Sequence, residues 1–290
     1  MKTIKVLSNQ NKLYSETTCE AYYKNEKSDF SIRLAFTGNE EYFLADKALK
    51  IYPGYFLVLN EGTSYQRKIY TDTPASTFSV QFSRTFLGDF HRSMVCSDDE
   101  LLDLPFDNND YCPTFHETLY PFKNDLMFNV LHLKHHFDAG ENNELLMNEY
   151  LRHTLLLFYQ VYNKEIHVNS NQLNLVKPCT RKEIFKRLNN VKDYMISNYS
   201  RLISVEELSR VACLSECHLY KLFKELYNCS PHQYLLKIRL QRAKHLLNHT
   251  DYSVNEIVGM VGFENSSSFI RLFKRNFSAT PKEYRLNNVA

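Results

Sequence analysis

A chain of 290 residues has room for two domains of ordinary size, and 43% hydrophobic with 23% charged residues excludes a disordered polyelectrolyte or a fibrous chain. Residues 1–8 lack the apolar core of a secretory leader, and no stretch approaches the ~18 uninterrupted apolar residues of a membrane span, so a cytoplasmic protein without a membrane partner is expected. The net charge of +2 divides unevenly: residues 181–290 hold 18 Lys and Arg against 10 Asp and Glu, whereas residues 1–180 hold 17 against 23, which points to a polyanion as partner of the C-terminal part alone.

The first predicted elements are strands within 29–83. Phe30, Ile32, Leu34 and Phe36 alternate with Ser31, Arg33, Ala35 and Thr37, and residues 55–59 form a second run between the turn signals Pro53-Gly54 and Asn60-Glu61-Gly62. Short strands punctuated by glycine predict a small antiparallel barrel or sandwich over about 29–100. After a loop rich in Asp, Asn and Pro (98–121), helices are expected at 123–137 and 141–166. Leu145, Leu151, Leu155, Phe158 and Tyr162 make an apolar stripe on the second, to be buried against the barrel or in a homodimer through 141–166. Residues 168–180 read as a linker, giving domains at 1–167 and 181–290.

Beyond the linker the sequence nearly repeats. Ser204 and Glu207 recur 49 residues on as Ser253 and Glu256, and Phe223-Lys224, Ser230-Pro231 and Tyr234 recur 50 residues on as Phe273-Lys274, Thr280-Pro281 and Tyr284. Each repeat opens on a capping box, Ser204-x-x-Glu207 or Ser253-x-x-Glu256. Each closes on Ser/Thr-Pro, with proline at the first helical position, where no N–H is needed. Between these lie a short helix, a turn at Cys213-Leu214 or Gly262-Phe263, and a longer helix. Two helix-turn-helix units follow, at about 204–227 and 253–277.

The longer helix of each unit has two faces. Leu219, Leu222, Phe223 and Leu226 in the first, and Phe269, Leu272, Phe273 and Phe277 in the second, are spaced for the core. Cys217, Tyr220, Lys221 and Lys224, and then Ser267, Ser268, Arg271, Lys274 and Arg275, point away from it. Hydroxyls, Arg and Lys on an outward helix face suit the major groove of double-stranded DNA. Ser215 and Asn265 or Ser266, as N-caps, would offer helix N-termini to phosphates. Lys224, Lys274, Arg275, Thr280 and Lys282 complete the expected phosphate set.

These residues resemble the AraC/XylS family of bacterial transcription regulators over about 191–285. The resemblance is carried by Leu219-x-x-x-Phe223-Lys224, Ser230-Pro231-x-x-Tyr234-Leu235, Arg239-Leu240-x-x-Ala243-x-x-Leu246-Leu247, Ile257, Val261-Gly262-Phe263, Ser267-x-Phe269, Phe273-Lys274 and Thr280-Pro281-x-x-Tyr284-Arg285. It implies base-reading positions at Cys217, Tyr220 and Lys221 in the first unit and at Ser266, Ser267, Ser268 and Arg271 in the second. Departures are Asn228 and Ser278 in place of Gly, Val258 in place of Ala and Ser268 in place of Tyr.

The resemblance also implies a cupin-like N-terminal barrel that binds a small-molecule effector, with RNA polymerase as a further partner if the protein is an activator. The expected fold is therefore α+β in two domains: a cupin-like antiparallel β-barrel with a helical appendix, then an all-α domain. Cupin metal chemistry needs several His, and none precedes His91, so no cofactor is expected and the effector-binding residues are unknown. His132, His135 and His136 share a helical face but read as a solvated surface, with Lys134 among them. Seven cysteines at 19, 96, 112, 179, 213, 217 and 229 include no C-x-x-C pair, so reduced thiols rather than a metal site are expected. No nucleophile elbow, P-loop or dinucleotide fingerprint supports an enzyme. The alternatives are a ligand-free dimerisation or partner domain, or a metal-dependent barrel enzyme with a helical docking module.

Overall fold

The computed structural model describes residues 1–96, 112–168, 173 and 178–288. Most of the anticipated loop 98–121 and of the linker 168–180 lies outside them. The chain forms two compact units, Met1–His167 and Val168–Ala290.

The first unit is built on one antiparallel sheet of eight strands: β1 Lys2–Val6, β2 Lys12–Lys27, β3 Phe30–Ala35, β4 Glu40–Phe43, β5 Ala48–Ile51, β6 Tyr55–Leu59, β7 Ser64–Phe82 and β8 Leu119–Pro121. The hydrogen-bonded order is β1-β2-β7-β3-β6-β8, with β4 pairing β5 and the outer half of β7. The sheet is not closed, which corrects the expectation of a barrel. Its path ends at β1 and at three-residue β8, whose Pro121 has no N–H to extend the ladder. It nevertheless folds over on itself, because β2 and β7 are long and β2 shifts register between Thr18 and Glu20 and between Tyr23 and Glu26. Arg67, in the first half of β7, thereby donates from Nη2 to Thr77 Oγ1, in its second half, at 3.0 Å.

Strands β1 and β2 precede the anticipated span, and the reason is chemical. β1 is short and mostly exposed, and β2 is rich in Lys, Glu and Thr with its outer half mostly exposed, so no long apolar alternation marks them. Helix α1, Arg84–Val95, replaces the expected end of the barrel; Ser83 caps it, and Phe86, Leu87 and Phe90 are buried.

Helices α2, Asn124–Asp138, and α3, Glu144–Tyr162, cover the sheet, and a π-helical turn, Asn163–Val168, extends α3. Phe158 sits among the rings of Phe30, Phe56, Phe115 and Tyr120, with centroids 5.9, 6.2, 5.0 and 6.0 Å away. Asn129 pins α2 to α3, donating to Tyr150 O at 3.0 Å and Thr154 Oγ1 at 2.8 Å. Leu151, Leu155 and Phe158 are thus covered by their own domain, and the anticipated homodimer stripe keeps Leu145, 76% exposed.

The second unit contains seven helices among the described residues: α4 Pro178–Ser197, α5 Val205–Ala212, α6 Glu216–Tyr227, α7 Pro231–His249, α8 Val254–Met260, α9 Ser266–Phe277 and α10 Pro281–Asn288. Helix α4 starts inside the span read as linker, at a proline that needs no N–H there. The sequence repeat is also a packing repeat. Phe223 meets Tyr234 edge-on at 5.6 Å, and Phe273 meets Tyr284 edge-on at 5.6 Å.

The chain just after α4 joins the two repeats. Arg239 of α7 is buried and donates from Nε to Tyr199 O and from Nη2 to Arg201 O, both at 2.8 Å. Gly262, in the turn of the second repeat, has φ +80°, and a Cβ there would lie 2.6 Å from Ser200 O.

Candidate nucleic-acid interface

Each helix-turn-helix is held by local hydrogen bonds. Ser204, Ser215, Ser230, Ser253 and Asn265 accept from the first-turn N–H groups of α5 to α9, satisfying donors that would otherwise be orphaned. The reciprocal capping box forms at Ser253 and Glu256. At Ser204 only half of it forms. The Glu207 carboxylate turns instead to Arg201 and the Tyr194 hydroxyl, and these hydrogen bonds hold it down at about 2. Asn228 and Ser278, the departures from Gly, both take the left-handed conformation at the ends of α6 and α9, with φ of 55° and 59°.

On α6 the side chains of Leu219, Leu222, Phe223 and Leu226 are buried, and Cys217, Tyr220, Lys221 and Lys224 are exposed within about 100° of arc at 100° per residue. On α9, Phe269 and Phe273 are buried while Ser267, Arg271 and Lys274 are exposed within about 60° of arc. Three outward pairs therefore occupy equivalent positions on the two helices: Cys217 and Ser267, Lys221 and Arg271, Lys224 and Lys274. Leu272 and Phe277 are only half-buried, and Ile270 is exposed.

The remaining anticipated residues have more particular settings. Asn265 is the N-cap of α9, its Oδ1 accepting from Ser267 N at 2.8 Å and Ser268 N at 3.2 Å. Half-buried Ser266 donates to Asn255 Oδ1 at 3.4 Å, and Ser268 is half-buried beside it. Ser215 is exposed and caps α6, accepting from His218 N at 3.4 Å. Thr280 forms its own reciprocal cap with Glu283, while Lys282 is exposed. Arg275 is exposed but lines, with Asn228, Cys229, Gln233 and Lys237, a groove to one side of the Ser267–Arg271–Lys274 face.

A helix-turn-helix domain family model matches residues 208–287. A lactose operon transcription activator from Staphylococcus xylosus is 29% identical over 156 residues, 54% of this chain and 52% of that protein. An HTH-type transcriptional activator RhaS from Enterobacter sp. (strain 638) is 37% identical over 99 residues, 34% of this chain and 36% of that one. The matched residues 208–287 form a helix-turn-helix domain of AraC type. The chain spans about half the length of the first relative and about a third of the second. Among solved structures, the DNA-binding domain of AdpA in complex with a target DNA is 29% identical, with a TM-score of 0.34, over 35% of this chain and 91% of that one.

Within the AraC-type domain, two groups of residues carry more than their sequence suggested. Arg239 matched the family pattern but gave no sign of the Tyr199 and Arg201 carbonyls, which lie 38 to 40 positions away. The Tyr194–Arg201–Glu207 cluster was hidden behind a capping-box spacing that Glu207 satisfies only on its backbone side. In the N-terminal unit the polar partner in an apolar alternation, Arg33, proves to be buried. A charged side chain between Ile32 and Leu34 was the available signal, and alternation alone assigned it to solvent. Among the described residues no group of three or more His, Cys, Asp or Glu is placed to hold a metal ion. His136 Nδ1 lies 2.8 Å from the Glu141 carboxylate, and the His132 ring packs edge-on against Phe128.

Proposed function

We propose that this protein is a sequence-specific transcription regulator that binds double-stranded DNA through both helix-turn-helix units and responds to a small molecule through its N-terminal sheet domain. The observation that carries the reading is the equivalence of the outward faces of α6 and α9. Two helices fifty residues apart in sequence present the same three exposed positions and bury the same two apolar ones, Leu219 and Phe269, Phe223 and Phe273.

Helix α7, nineteen residues between the units, is about 28 Å long at 1.5 Å per residue. It would separate α6 and α9 by a distance suited to successive major-groove segments about 34 Å apart on one face of the duplex. Lys221, Arg271, Cys217, Tyr220 and Ser266 to Ser268 then read bases. Lys224, Lys274, Arg275, Lys282 and the helix ends at Ser215, Asn265 and Thr280 hold phosphates. RNA polymerase is the further partner if the protein activates transcription, as several relatives' names say of them.

Selection of genomic DNA fragments by the purified full chain, at two salt concentrations and with Arg271→Ala, tests this. A motif of two half-sites about one helical turn apart, with the half read by α9 relaxed in Arg271→Ala, is the expected result. Recovery of sequence-random DNA at both salts would overturn it.

A further inference from the structure

Inside the curl of the N-terminal sheet lies a cavity of about 180 Å³, lined by Glu16, Arg33, Glu40, Tyr65, Arg67 and Ser79 among others. Its two guanidinium groups are in different electrostatic situations. Arg67 is neutralised twice over, bonding the Glu16 carboxylate at 2.8 Å from Nη1 and the Glu40 carboxylate at 2.6 Å from Nε, with Thr77 on Nη2. Arg33 meets neutral hydroxyls only: Ser31 Oγ at 3.1 Å from Nε, Ser79 Oγ at 3.4 Å from Nη1 and Tyr65 OH at 3.0 Å from Nη2. No carboxylate lies within ion-pair distance of it among the described residues. Yet the residue is 5% exposed.

A guanidinium has five N–H donors, and three of these are used, so Arg33 keeps donors for a further acceptor. A buried cation without an anion is costly, and an arriving carboxylate or phosphate would remove that cost. Of the three lining carboxylates, Glu16 and Glu40 already share Arg67 and accept from Tyr23 and Tyr42, while Glu26 is exposed to water and accepts from Tyr65, so none of them is buried without a partner. A neutral ligand would leave Arg33 uncompensated. An apolar cavity of about 150 Å³ holds benzene, so this one admits a molecule of about six to ten non-hydrogen atoms.

We propose that the cavity binds a small organic anion, with its carboxylate or phosphate oxygens on Arg33. This deepens the reading of the N-terminal domain as a sensor and rests on it. The test is thermal melting of the full chain, followed by circular dichroism, with three matched pairs: lactate and lactamide, benzoate and benzamide, glycerol 3-phosphate and glycerol. At least one anion is expected to raise Tm saturably, by about 3 to 6 °C at ten times its Kd, while its neutral counterpart does not. Which pair responds separates a carboxylate from a phosphate ligand. Arg33→Met, of similar length without the charge, is expected to fold as well as the parent and to lose the shift. Arg33→Lys is expected to keep the preference for the anion with a several-fold higher Kd, which holds the test open if Arg33→Met does not fold. The proposal is overturned by equal shifts from an anion and its neutral counterpart, by a shift that survives Arg33→Met, by an unchanged Kd in Arg33→Lys, or by no response to any of the three anions. Because melting is the readout, a failure of DNA recognition leaves this result interpretable, and the reverse.

Discussion

Gly262 is where the turn of the second helix-turn-helix unit packs against the backbone of Tyr199 and Ser200. A side chain there meets two obstacles, a positive φ and the Ser200 carbonyl 2.6 Å from any Cβ. Gly262→Ala is therefore expected to lower stability by about 1 to 3 kcal/mol, measured by urea denaturation of the full chain. Arg239 acts on the same segment from the other side. Removing its donors leaves the Tyr199 and Arg201 carbonyls unmatched where Arg239 had been buried, so Arg239→Ala should cost about 2 to 4 kcal/mol. A loss below 0.5 kcal/mol would mean that water replaces the guanidinium. The glycine and the arginine were both visible in the sequence as family residues, and what they touch was not.

At the scale of elements, two helices carry titrating groups with opposite chemistry but the same direction of effect. Glu207, at the start of α5, is held down at about 2 by Arg201 and Tyr194, against 4.5 unperturbed. A depressed folded value means that its contribution to stability is complete above pH 4.5 and is lost as pH falls toward 2. His245, on α7, is lowered to about 3 by burial, then by Arg242 and His249, against 6.5 unperturbed. The unfolded chain therefore binds the proton first, and stability declines as pH falls below 6.5. His245→Gln is expected to recover about 1 kcal/mol of the loss seen between pH 7.5 and 5.5. Glu207→Gln should leave that range unchanged and flatten the decline between pH 4.5 and 2. Unfolding monitored across both ranges distinguishes them. Caps belong to this scale as well: Ser253→Ala, which opens a complete capping box, should cost about 1 kcal/mol.

For the whole molecule the decisive quantity is the segregation of charge. A basic C-terminal part joined to an acidic N-terminal part should bind DNA with an affinity that falls steeply with salt, by about 10³ to 10⁵ between 50 and 200 mM if six to ten phosphates are contacted. Lys274→Ala is expected to reduce the magnitude of the slope of log K against log salt by about one without changing sequence preference. Arg271→Ala should instead relax preference at one or two base positions. Filter or fluorescence binding to matched specific and random duplexes measures both. If the two variants behave alike, the division of α9 into base and phosphate positions is wrong.

The C-terminal half was legible because its information is local and periodic. Caps act over three residues, core spacing over one or two turns, and Ser/Thr-Pro punctuates helix starts, so the helices of both helix-turn-helix units could be placed from their own residues, whereas α4, with no such cap in the sequence, was not. The fifty-residue repeat then supplied the long-range arrangement that a single helix-turn-helix would have lacked. Strands β1 and β2 and the buried state of Arg33 were not legible in the same way. Period-two alternation says which side chains share a face and nothing of what that face meets. The face of β3 that carries Ser31 and Arg33 would be solvated in a flat sheet. It is enclosed here because β2 and β7 are long enough to bend and bring Tyr65 and Arg67 across from Thr77 and Ser79. Residue spacing by itself determined the two-faced helices α6 and α9; only tertiary structure decided that a polar cavity exists, since curvature belongs to the whole sheet and not to any of its strands.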